Sequence, residues 1–164
     1  MNKVRITSLV YICFLTILVI GCTNANSAAN DMIASVQKKV PFTIIVPSYF
    51  PSDIRTIPSG ISGPNTNEIT KSIEVIITYY GDSSDKEIVV SEVNINVNQV
   101  PNGSYETFNI NGVEVLDEDI EIGSATQITH GFLYTWNRNG INFEVDIYGY
   151  GQDEGKKVVE SMIK

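Results

Sequence analysis

The chain has 164 residues, about the size of one folding unit, with 11 Lys and Arg against 19 Asp and Glu, one His and two Cys. Its net charge of −8 argues against nucleic acid, whose phosphates require a basic patch. A lone His130 cannot build a multi-histidine metal centre, and two cysteines supply neither a thiolate zinc site nor a disulfide framework.

The first predicted element is an address. Lys3 and Arg5 precede an apolar stretch from Leu9 to Ile20 broken only by Thr16, the charge and length pattern of a secretory signal. A bilayer-spanning helix needs about 20 apolar residues, so the run is short for a permanent anchor. It ends in Leu18-Val19-Ile20-Gly21-Cys22 before a small, polar stretch, and this ending resembles the bacterial lipobox. The resemblance implies that residues 1 to 21 form a lipoprotein signal peptide, that Gly21 is the last residue removed, and that Cys22 receives a diacylglyceryl group. Cys13 would leave with the signal, so thiol chemistry leaves with it, and loss of Lys3 and Arg5 would take the net charge from −8 to −10. Such a chain is repelled by anionic headgroups, and the lipid must supply the attachment at about 0.8 kcal/mol per buried methylene.

Residues 22 to 30 are small, polar and without periodicity, which predicts a lipidated flexible tether reaching about 16 Å by random-coil scaling. Residues 31 to 164 are then a single globular domain. Asp31 has the chemistry of an N-cap, with Met32, Ile33, Val36 and Val40 at helical spacing, and Pro41 ends that helix. Beyond it the period is two. Strands are predicted over Phe42 to Val46, Ser72 to Tyr80, Glu87 to Val97, Tyr105 to Ile110, Gly112 to Leu116, Phe132 to Trp136 and Ile141 to Tyr148. Asn111-Gly112 and Asn139-Gly140 are hairpin turns, because both residues of each pair tolerate positive φ. Pro58 to Asn67, rich in Gly, Pro, Ser and Asn, reads as a loop, and Gln152 to Ile163 as a helix with Val158, Val159, Met162 and Ile163 on one face. Gly155 costs this last helix about 1 kcal/mol relative to Ala.

Two stretches carry a second resemblance. Val40 to Pro51 (VPFTIIVPSYFP) resembles the opening of an uncharacterised extracytoplasmic domain family found in bacterial lipoproteins and in some anti-sigma-factor-like proteins. Leu133 to Ile163, with Trp136, Asn139-Gly140, Phe143 and the Gly149 to Gly151 break, resembles its closing hairpin and helix. The resemblance implies an α+β fold, a curved antiparallel sheet with an N-terminal and a C-terminal helix packed on one face, and no catalysis.

Candidate chemistry is sparse. Asp117, Asp119 and Glu121 project to one side of a strand, where they form either a calcium-binding oxygen cluster or a solvated acidic edge. Nothing selects one pair of acids for glycoside hydrolysis. His130 lacks a G-x-S-x-G elbow or a thiol to serve, and its default is a loop or strand-entry position. Phe132, Tyr134 and Trp136 share one face of a strand and form either core or a binding face. The pattern points to a lipid-anchored, extracytoplasmic binding or sensory module of the bacterial envelope with no catalytic residues, metal or cofactor. It would sit on the outer face of the cell membrane, or on the outer membrane of a two-membrane envelope, with an envelope protein, a glycan or a lipid as partner. The alternative is a lipid or lipoprotein carrier with an apolar cavity under the sheet.

Overall fold

A computed structural model describes residues 24–67, 71–94, 104–124 and 127–164, with the backbone alone at 24–29, 124 and 127. In chain order it runs α1 (Asn24–Gln37), β1 (Gly60–Thr66), β2 (Ile73–Tyr80), β3 (Glu87–Asn94), β4 (Tyr105–Ile110), β5 (Val113–Ser124), β6 (Gln127–Arg138), β7 (Ile141–Tyr148) and α2 (Gln152–Met162). The strands form one seven-stranded antiparallel sheet in the order β1-β2-β3-β7-β6-β5-β4, open at its two edges. The class is therefore mixed α+β. Gly21 and Cys22, like the rest of the signal-like segment, lie outside the described residues.

The hairpin turns follow from side-chain chemistry. Asn111 and Gly112 have φ of 51° and 84°, and Asn139 and Gly140 have 54° and 76°, the paired positive values of a turn whose twist matches its strands. Register then sorts each strand by parity. Ile77 and Tyr79 of β2 lie beside Val90 and Ile88 of β3, which lie beside Val145 and Ile147 of β7, and Val75 shares their parity. These side chains are almost fully buried, as are Tyr134, Trp136 and Phe143, and each contributes on the order of 1.5–3 kcal/mol of apolar transfer. Trp136 and Phe143 stack with centroids 4.9 Å apart and planes 4° from parallel.

α2 shares the buried cluster of these strands. Val158, Val159 and Met162 are buried in the same cluster, and Tyr134 Oη donates to the carbonyl of Gln152 at 3.1 Å. Val36 of α1 is buried in it too.

Several predicted boundaries are corrected. α1 begins at Asn24, so most of the stretch read as a flexible tether is helical, and Asp31 lies inside the helix rather than capping it. Alanine at 28, 29 and 34, with no proline, sustains the helix where the polar residues suggested a linker. Gly60–Thr66, read as a loop, is an edge strand, with a register irregularity between Ser62 and Asn65 where the Gly63-Pro64 peptide is cis. Conversely Phe42 to Val46, read as a strand, pairs with no strand. It is a strap held by side chains. Gln37 Nε2 donates to the carbonyl of Phe42 at 2.6 Å, and Gln37 Oε1 accepts from the Ile44 N–H at 2.8 Å. Further along, Ser48 donates through its N–H and its hydroxyl to Oγ and the carbonyl of Ser161. β5 and β6 extend well beyond the short apolar cores predicted for them, and the acidic run 117 to 121 lies within β5. β3 is described only to Asn94, so its predicted last residues fall outside the description.

Candidate functional site

The strand positions that alternate with the core point to the opposite face of the sheet, and there the residue types change. On β7 these are Asn142, Glu144, Asp146 and Tyr148. Register places Val93 and Asn137 beside Asn142, Ser91 and Thr135 beside Glu144, and Val89 and Leu133 beside Asp146. Outward from there, Leu116 and Thr107 continue the Thr135 row, and Glu118 and Tyr105 continue the Leu133 row. On the other side Glu74 lies beside Val93, and Ser91 Oγ donates to Glu74 Oε1 at 3.2 Å.

A groove of about 580 Å³ runs over β4 to β7, lined by Tyr105, Thr107, Glu114, Leu116, Thr135, Asn137 and Asn142 of this face together with Val113 and Trp136 of the other parity, with Gly112 of the β4–β5 turn at its end. Asn142 and Thr135 are each only 5% exposed, and neither side chain has a hydrogen-bond partner among the described residues. Buried polar side chains normally find partners. These two present an amide and a hydroxyl to the groove instead.

The electrostatics of the face are one-sided. Glu74, Glu87, Glu114, Glu118, Glu144 and Asp146 occupy strand positions on it. Arg138, the basic residue of the strands, lies at a position of core parity and donates to the carbonyl of Lys164 at 2.7 Å. Burial, then repulsion from Glu144 and Glu87, pushes the Asp146 carboxyl up to about 6. Burial and then Glu74 raise Glu144, and burial raises Glu87.

The residues singled out from sequence fall elsewhere. Tyr134 and Trp136 are 0% and 3% exposed in the core under α2, and Phe132 packs half-buried against that core. Trp136 also lines the groove over β4 to β7, and Phe132 and Tyr134 do not. Asp117 is buried at the start of α2, where Gln152 Nε2 donates to its Oδ2 at 2.8 Å and Lys156 Nζ lies 3.5 Å from the same oxygen. Its Oδ1 has no partner, and burial raises its carboxyl against the opposing pull of Gln152 and Lys156. Asp117 therefore fastens the helix start rather than forming a solvated edge. Asp119 and Glu121 stay exposed, Glu121 pairs with His130 Nδ1 at 3.1 Å, and among the described residues no three acidic, His or Cys side chains are grouped to hold a metal.

A second cleft, about 700 Å³, lies between the strap, the end of α2 and the β6–β7 hairpin, lined in part by Phe42, Ile45, Phe143 and Met162. The predicted aromatic trio does not line it. Sequence reading followed the apolar alternation and passed over its complement. The signal was present in the polar positions of INFEVDIY and in Thr135 and Asn137, which repeat with the same period on the other parity. No family model matches the chain, and neither a curated protein nor a solved structure is significantly similar to it.

Proposed function

We propose that this chain is a lipid-anchored, non-catalytic binding or sensory module of the bacterial envelope, acylated at Cys22, with both helices on one face of a curved sheet and the other face as its recognition surface. The observation that carries the recognition surface is the pair Asn142 and Thr135, two buried polar side chains without partners that line a groove opposite α2. Both side chains line the groove, where a ligand with matching groups can pair with them. The charge pattern, the apolar run and Gly21-Cys22 support the anchor. No helix among the described residues is long and apolar enough to cross a membrane. Against the carrier alternative stands the filling of the space beneath α2 by Tyr134, Trp136 and Val158.

Two measurements test the reading. Mass spectrometry of membrane-extracted protein should find a chain beginning at an acylated Cys22, and an intact Met1 with a free Cys22 thiol would refute the anchor. A photo-crosslinking side chain placed at Thr107, in the groove, should capture a partner in intact cells, whereas one at the exposed Glu160 of α2 should not. Equal or absent capture at both positions would remove the recognition surface.

A further inference from the structure

We infer that the groove and the acidic strip beside it form one site for an alkylammonium ligand, an aliphatic polyamine or the lysine side chains of a peptide. The inference rests on the reading of this face as the recognition surface.

Charge comes first. Six carboxylates occupy strand positions on this face, and no strand position on it carries Lys or Arg. An anionic ligand is therefore repelled, and a neutral one leaves the mutual repulsion of Glu74, Glu144 and Asp146 in place. A cation relieves it, and relief is largest where the carboxylates are partly desolvated.

The hydrogen-bonding groups select among cations. Thr135 is the direct cross-strand neighbour of Glu144, and Asn142 lies on the same face of β7 two residues before it. Hydroxyl oxygen, amide oxygen and carboxylate thus share this face as acceptors, two of them without any other partner among the described residues. An ammonium group carries three donors and no acceptor, which matches that set. A divalent cation needs several close oxygen ligands, and the described residues contain no such group.

The apolar positions fit the remainder of the ligand. Val89, Val93, Leu116 and Leu133 alternate with the acids across the strands. Charges separated by short methylene runs therefore find both counterparts on a lattice with strands about 4.8 Å apart and same-face residues about 6.7 Å apart.

The test uses the mature, acylated protein in a neutral detergent, titrated calorimetrically with spermidine, with an octalysine peptide and with maltotriose as an uncharged polyol. The expected result is saturable binding of an amine probe at one site, with the tighter of the two identifying its source, and none of maltotriose. Thr135→Val, which keeps shape and charge, and the double variant Glu144→Gln with Asp146→Asn should each weaken amine binding about tenfold or more. Glu160→Gln on α2 should leave it unchanged. Near-ultraviolet circular dichroism of Trp136 confirms that each variant is folded. No saturable amine binding, an undiminished affinity in Thr135→Val, or an equal loss in Glu160→Gln overturns the inference. In that event crosslinking from Thr107 decides the underlying reading. Capture there keeps the recognition surface while the amine ligand fails, and no capture removes both.

Discussion

Glu92 sits where the alternation of β3 calls for an apolar side chain. It is 0% exposed, between Val75 and Phe143 in register, and its Oε1 accepts the Ile45 N–H at 2.8 Å while Oε2 has no partner. Burial lifts its carboxyl from 4.5 to about 8, and the Ile45 N–H pulls only weakly the other way. The folded chain then holds a proton that the unfolded chain has released, so this contribution is complete below about pH 4.5 and is lost as pH rises through about 8, up to roughly 4 kcal/mol in all. Asp146 acts in the same direction at lower pH, and the raised Glu144 carboxyl adds to it. Thermal melts from about pH 6.5 to about pH 9 should therefore fall steeply for the native chain and much less for Glu92→Gln, whose amide can still accept from Ile45. Equal slopes would show that Glu92 ionises normally. Sequence could not locate this residue, since glutamate at a strand position is almost always solvated. Gly155 was legible only as a helix penalty, and the structure gives its reason. A Cβ there would lie 2.5 Å from Tyr134 Oη and 2.7 Å from a ring carbon. Gly155→Ala should lower unfolding free energy in urea by about 1–2 kcal/mol, the overpacking outweighing a helix-propensity gain of about 1 kcal/mol.

At the scale of elements, strong turn chemistry and strict alternation were readable, and mixed signals were not. The Asn-Gly hairpins, β4 and β7 stand where the residues placed them. Phe42 to Val46 has the composition of a strand, yet Gln37 and Glu92 supply its partners, and which side chain satisfies a backbone is decided only by tertiary placement. β1 fails in the opposite way, because Gly and Pro mark loops and edge strands alike. The strap makes a sharp prediction. In Gln37→Ala the Ile44 amide loses its acceptor and should exchange with deuterium at least about tenfold faster by NMR, while the Val90 amide in central β3 keeps its rate. Equal acceleration at both would mean that the substitution destabilises the whole molecule.

Across the whole molecule, the sequence announced one apolar face and the structure reveals what the other parity carries. Composition set the charge balance, but its concentration on one face depends on register, which no count of acids contains. If the lipid alone supplies attachment, a chain starting at Thr23, without signal or lipid, should remain in the supernatant when phosphatidylglycerol vesicles are sedimented, since its acidic surface is repelled by theirs. Co-sedimentation would reveal a second membrane contact. The strand order has a kinetic meaning as well. β1 to β3 form one meander and β4 to β7 another, each built from neighbours in sequence, and they meet only where β3 lies against β7. The loop-closure entropy of folding is concentrated in that single encounter, so the pairing of β3 with β7 should be the step that sets the folding rate.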